Sequence, residues 1–337
     1  MSIDNPDITW ETLTTLNAGL DFKLFNQTLS ASVDVFRGSR TGILTASAIP
    51  GVLGQTLTVN AGEVESKGLE AALQYDRQIG PVRVSLYGNV TVTDDRIRAE
   101  NGQDGLPEYQ RTIGRVVGSR LVFLSNGIFQ TQAEIDASPR QILSGKVVPG
   151  DIRYQDVGGV NGAPDGVIDN LDRVRINQSD LPKAYFGFGT VLAYKRLDLT
   201  VHFQGLRGRT LDVQGLVNAG PSALNDESLR RWTPANAATA QYPRLGISDR
   251  ANNTAGSDFW LVSGNYLRLK NVELGVSLPT TLLGKYRLKN ARLYMGGFNL
   301  ISFDSLGLDV DPEIPGAGRG SSYPYVKTIY LGLRTSF

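Results

Sequence analysis

The sequence predicts an all-β fold, an antiparallel transmembrane β-barrel segment of about nine strands with long extracellular loops. Three observations predict it. Apolar and polar residues alternate with a period of two along many segments, short and long links follow one another in strict turn, and the chain ends on an aromatic, Phe337, that closes an alternating strand.

The elements follow in order. A first strand is expected near 9–24, and a few residues around Asn26-Gln27 lead to a second near 28–41, where Leu29, Ala31, Val33 and Val35 alternate with Ser30, Ser32 and Asp34. The longer link 42–62 precedes a third strand near 63–78, in which Leu69, Ala71, Leu73 and Tyr75 alternate with Glu70, Gln74 and Asp76. Gln78-Ile79-Gly80-Pro81 turns the chain into a fourth strand near 81–97, with Val82, Val84, Leu86, Val90 and Val92 set against Arg83, Ser85, Tyr87, Asn89 and Thr91. The link 98–182 is the longest. Strands near 183–195 and 197–206 are joined by Lys195-Arg196, and the second sets Leu197, Leu199, Val201 and Phe203 against Asp198, Thr200, His202 and Gln204. The link 207–264 leads to strands near 265–278 and 289–302, with a modest turn between them, and 303–324 leads to the last strand, 325–337.

Successive side chains on a strand point to opposite faces, so each strand has one apolar and one polar face. A sandwich core and a lipid-facing wall both write this pattern, and the link lengths separate them. Tight turns on the periplasmic side and large loops outside are the asymmetry of an outer-membrane barrel. Counting backwards, the last strand descends and ends on the periplasmic side at Phe337. Phe36, Tyr75, Phe203 and Phe337 are expected to face lipid or its boundary, and His202 the lumen.

Composition narrows the function classes. Lys+Arg number 34 and Asp+Glu 33, a net charge of +1, which makes no electrostatic case for nucleic acid. No run of eighteen or more apolar residues exists, which excludes a transmembrane helix but not a barrel. Cysteine is absent, and the one histidine removes most metal and nucleophilic schemes. Met1 is followed by neither a basic nor an apolar export signal. Bacterial single-chain barrels have even strand numbers, and lipid does not tolerate open strand edges. The chain is therefore expected to be a fragment of a longer barrel, or one half of a split one.

A series of motifs then sharpens the reading. Asn5-Pro6-Asp7-Ile8-Thr9-Trp10-Glu11, Asn17-Ala18-Gly19-Leu20-Asp21 and Gly62-Glu63-Val64-Glu65-Ser66-Lys67-Gly68-Leu69-Glu70 come first. Arg231-Trp232-Thr233-Pro234, Tyr242-Pro243-Arg244-Leu245, Ser257-Asp258-Phe259-Trp260 and Asn265-Tyr266-Leu267-Arg268-Leu269-Lys270 follow, and Phe298-Asn299-Leu300, Asp311-Pro312-Glu313 and Gly332-Leu333-Arg334-Thr335-Ser336-Phe337 complete them. In this order they resemble the C-terminal third of the SusC/RagA-like TonB-dependent outer-membrane transporters of Bacteroidota. The resemblance implies residues 1–337 of a larger, 22-stranded barrel whose plug lies outside this sequence, with 98–182 and 207–264 as extracellular loops. It also implies nutrient uptake across the bacterial outer membrane, with an oligosaccharide or peptide as ligand. The implied partners are a SusD-like lipoprotein, the TonB complex acting through the missing N-terminal part, and outer-membrane lipid.

One loop carries a candidate metal site. The segment from Asp156 to Asp172 resembles a family loop built on calcium logic, with Asp156, Asn161, Asp165, Asp169 and Asp172 as candidate ligands. Asp and Gly are also ordinary turn formers that need no ion. Asp94-Asp95 and the group Asp309, Asp311 and Glu313 offer carboxylates to a hydrolase reading, but neighbours on a strand point opposite ways. Ala317-Gly318-Arg319-Gly320 lacks the Gly-Lys-Ser/Thr ending of a phosphate loop. Trp10, Trp232, Trp260, Tyr266, Tyr323 and Tyr325 either stack on a ligand or brace loops and membrane interfaces. No catalytic residue is expected. The rival fold is a soluble or surface β-sandwich that binds carbohydrate.

Overall fold

The computed structural model describes residues 5–48, 56–143, 145–217, 226–246, 251–284, 288–308, 310–313 and 325–337. Asp309, the segment 317–320 and Tyr323 lie outside them.

Nine strands form one antiparallel sheet in chain order: β1 (Thr12–Leu24), β2 (Leu29–Ala48), β3 (Thr56–Ile79), β4 (Val82–Ala99), β5 (Ala184–Tyr194), β6 (Leu197–Arg207), β7 (Tyr266–Ser277), β8 (Asn290–Asp304) and β9 (Thr328–Ser336). Every strand pairs with its neighbour in sequence, the arrangement of an up-and-down barrel wall. β-Branched and aromatic residues suit a pleated surface, and the turns supply what strands cannot. Phe25, Asn26 and Gln27 between β1 and β2, Gly80 between β3 and β4, and Lys195 between β5 and β6 all have positive φ. These tight turns share one end of the sheet with Phe337, and the long connections share the other.

Register makes the wall two-faced. One row runs through all nine strands as Leu24, Leu29, Tyr75, Leu86, Thr190, Val201, Val272, Gly297 and Ile329. The next row on the other face reads Gln74, Tyr87, Gly189, His202 and Asn271 from β3 to β7. The apolar face is not packed against a second layer: Leu16 and Leu331 are each 75% exposed and Phe337 is 80% exposed. A sandwich would bury that face, whereas a bilayer covers it. On β4 the apolar positions run from Val82 to Val92, which matches the roughly 9–11 residues of a tilted membrane strand.

Two expectations need correction. The link 42–62 is mostly strand, because β2 and β3 stay paired to Ala48 and Thr56 and reach 20 and 24 residues. Gly42, at φ 70°, takes up the register shift that allows the ladder to continue, and Ile43 to Ala48 and Thr56 to Val59 carry the alternation onward. At about 3.3 Å per residue, β3 is far longer than the ~25 Å apolar band and must stand out of it. Phe36 is the second correction. It shares its face with Ser30, Ser32 and Asp34 and packs its ring where a Cβ on Gly68 would stand, so it faces the lumen.

The buried core lies in the loops. Phe123, Ile152, Tyr154, Ile168, Leu211, Val213, Leu216, Val217, Trp260 and Leu306 cluster there, drawn from three of the long connections. These connections hold short strand pairs of their own, including Arg120–Phe123 with Arg173–Ile176 and Thr210–Asp212 with Leu261–Ser263. Among the described residues no helix is long and apolar enough to cross a membrane.

Candidate functional site

Strands β1–β4 and β6 line an open hollow of about 740 Å³, with Asp21, Lys23, Gln74, Tyr87, Asn89 and His202 among its lining residues. Beside Tyr87, Asn89 and His202 the lumenal wall of β5 is glycine. A Cβ at Gly189 would stand 2.5 Å from the Tyr87 hydroxyl, and one at Gly187 would stand 3.0 Å from Asn89 Oδ1. The missing side chains of β5 let neighbouring rings lie down along the wall. Tyr87 and His202 stack with centroids 5.7 Å apart, and the Tyr87 hydroxyl lies 3.3 Å from His202 Nδ1. Tyr330 lies over Gly296 and Tyr294 over Gly332 in the same way on β8 and β9.

Charge on this face is paired across strands. Arg292 on β8 donates to Asp198 on β6 (Nε–Oδ1 2.9 Å) and to Glu273 on β7 (Nη1–Oε1 2.7 Å), and the Tyr330 hydroxyl donates to the other Glu273 oxygen at 2.8 Å. At the extracellular end, buried Arg268 donates to both oxygens of Asp311 at 2.8 Å and to Glu313 at 3.2 Å. The rings of Tyr266 and Tyr325 flank its guanidinium at 5.1 and 4.9 Å, and Tyr266 also hydrogen-bonds Glu313. Burial works to raise the Glu313 pKa, but hydrogen bonds from Tyr266 and Tyr325 and the charges of Arg268 and Lys270 hold it below the usual range. Asp311 and Glu313 thus tie the loop after β8 to the start of β7 by charge-assisted hydrogen bonds.

The loop cap has a polar centre as well as an apolar one. Asp151, fully buried, accepts from Arg244 Nε at 2.7 Å, Asn253 Nδ2 at 2.9 Å and the Val148 amide at 3.0 Å. Asn252 Oδ1 accepts from Gln141 at 2.7 Å, and the Asn252 carbonyl accepts from the Tyr154 hydroxyl at 2.7 Å. Burial pushes the Tyr154 phenol well above its usual range. Trp260 donates to the Asn253 carbonyl at 3.0 Å, and Trp232 donates to Gln130 at 2.9 Å. Of the aromatics expected to stack or to brace, Trp232, Trp260, Tyr266 and Tyr325 brace, while Trp10 is 94% exposed beside β1.

The five candidate calcium ligands do not converge on a cation. Asp172 takes the amides of Val157, Gly158 and Asp169, Asp169 takes that of Leu171, and Asp156 takes those of Asp165 and Gly166. Asp165 takes the Val167 amide, and Asn161 is exposed. Among the described residues no group of three or more His, Asp or Glu side chains could hold a metal ion. Asp169 and Asp172 instead form a capping box on the 3-10 turn Asn170–Asp172, and Tyr109 and Gln110 strap that turn to the preceding loop. Asp94 pairs with Arg96 on the apolar face above the band, while Asp95 points the other way, so the two carboxylates share no site.

A two-faced antiparallel wall, with tight turns at one end and a folded loop cap at the other, defines an outer-membrane β-barrel protein. The chain belongs to the family of TonB-dependent receptors: the family description "TonB dependent receptor-like, beta-barrel" matches residues 1–300. It is 30% identical to a TonB-dependent receptor of Formosa agariphila, over 99% of this chain and 35% of that protein. It is 23% identical to the TonB-dependent receptor SusC of Bacteroides thetaiotaomicron, over 99% of this chain and 32% of that protein. The solved RagAB peptide transporter shares the fold with a TM-score of 0.74 at 24% identity, over 100% of this chain and 36% of that chain. The chain thus spans about a third of the length of the curated relatives it matches. The family is one of receptors and transporters, not of enzymes, and its place is the outer membrane.

Proposed function

We propose that this chain forms part of the wall and the extracellular mouth of a TonB-dependent importer that takes up oligosaccharides or peptides. The observation that carries the reading is the lumenal face itself, where Tyr87, His202 and polar side chains line an open hollow beneath a folded loop cap, backed by an apolar face for lipid. Further strands complete the barrel at the edges of β1 and β9, since unpaired backbone groups cannot face hydrocarbon. A plug inside that barrel is the route to the TonB complex, and a SusD-like lipoprotein covers the loop cap formed within 98–182 and 207–264. Stacking on rings and hydrogen bonds to Asn, Gln and Asp side chains suit both sugar rings and peptide backbones.

Deleting the gene in its own bacterium and following uptake of labelled oligosaccharide and oligopeptide pools tests this. Uptake of one pool should collapse and return with the intact gene. Unchanged uptake of both pools would sink the proposal.

A further inference from the structure

The outward face of β2–β4 carries two features that the transport reading does not use. The first is a hollow of about 400 Å³ among lipid-facing side chains, with Phe22, Ala31, Ala71, Gly88, Phe186 and Phe188 in its lining. It exists because register sets small residues side by side: Ala31 and Gly88 both lie in the row of Leu73, and Ala71 stands in the next row between Val33 and Val90. Phenylalanine rings close it from β1 and β5.

The second feature lies above it on the same face. The row Val35, Leu69 and Val92 is the last apolar one, and the next reads Arg37, Lys67 and Asp94. Glu65, almost fully buried, binds two guanidiniums at once, Arg98 at 2.7 Å and Arg37 on its other oxygen. Arg37 and Arg98 remain 68% and 44% exposed at the side chain, so one carboxylate holds two forks in place without covering them. Asp94 turns to Arg96 and Glu63 accepts from Ser39, which leaves four cations against three carboxylates on this patch. From Ala71 to Lys67 is four residues, roughly 13 Å at about 3.3 Å each, close to half of the ~30 Å hydrocarbon core. That is the depth of an acyl chain below its headgroup.

We propose that this face holds one phosphorylated lipid of the outer leaflet, with an acyl chain in the hollow and its phosphate on Arg37, Lys67 and Arg98. Arginine forks match phosphate oxygens bidentately, and the fork geometry here is fixed before the lipid arrives. Bulk lipid wets the whole apolar face, but this place joins a chain-sized depression to a set phosphate clamp.

Native mass spectrometry of the protein extracted from its own outer membrane in mild detergent tests it. The wild type should retain one phosphorylated lipid. Arg37→Gln with Arg98→Gln should lower retention about tenfold, the loss expected for two solvent-exposed ion contacts. Gly88→Leu fills the hollow, leaves the clamp intact, and should lower retention as well. Arg77→Gln, on the same face at the periplasmic end, should not. Absence of a retained phosphorylated lipid from the wild type overturns the proposal. So does retention that survives Gly88→Leu, which still decides the matter if the double variant does not assemble.

Discussion

Asp151 shows what a single loop residue does here. Three donors satisfy a carboxylate that water does not reach, and one of them is the charged Arg244. Replacing Asp151 with Ala breaks a buried ion pair and strips the carboxylate from two further donors, which costs about 3–5 kcal/mol. We expect Asp151→Ala to open the cap to trypsin while the strands stay protected, and limited proteolysis followed by mass mapping reads this directly. Glu313 gives a pH dependence. Its folded pKa lies below its ordinary 4.5, so its stabilising contribution is complete above that value and is lost as pH falls through the lower folded one. The amide of Glu313, which donates to Asp311 at 2.8 Å, should therefore exchange faster with deuterium on acidification below about 4.5, after correction for intrinsic exchange. The sequence placed His202 on the polar face by parity alone. It did not reveal Asp151 or Asn252, whose partners lie about a hundred residues away and follow no period.

At the scale of the element, the two faces of one strand respond oppositely to the same change. Leu86 is central in the outward band of β4, and Asn89 faces the lumenal hollow three residues on. Leu86→Arg should destabilise the folded barrel by about 2–4 kcal/mol, whereas Asn89→Arg should stay within about 1 kcal/mol. Urea unfolding in lipid, followed by the heat-dependent shift of the band on a gel, measures both. An equal loss for the two variants would contradict the assignment of faces. The strands were legible because a period of two survives any neighbour. Their ends were less so: Gly42 reads as a breaker, and only the ladder from Ile43 to Ala48 shows that it is a bulge. Phe36 misled because an aromatic on an outer-membrane strand suggests lipid, while Gly68 opposite it makes room on the lumenal side.

For the molecule as a whole, architecture followed from link lengths, which report which end of the wall each loop occupies. That these loops fold around Trp260, Ile152 and Leu211 was not legible, since they alternate with no strand or helix period and meet only in three dimensions. The role of the candidate calcium loop was not legible for a related reason. Carboxylates at suggestive spacing serve equally well to hold backbone amides, and here they do so. The glycine wall beside Tyr87 has a further consequence, for aperture. In the proposed passage, rings that recline on bare backbone take up little of the bore, so residues without a side chain help to set its width. Gly189→Ala, whose new methyl group would stand 2.5 Å from the Tyr87 hydroxyl, should lift that ring inward and act as a finer sieve. Uptake of the largest accepted cargo should fall first while small cargo still passes, a size cut-off that graded oligomers would read out.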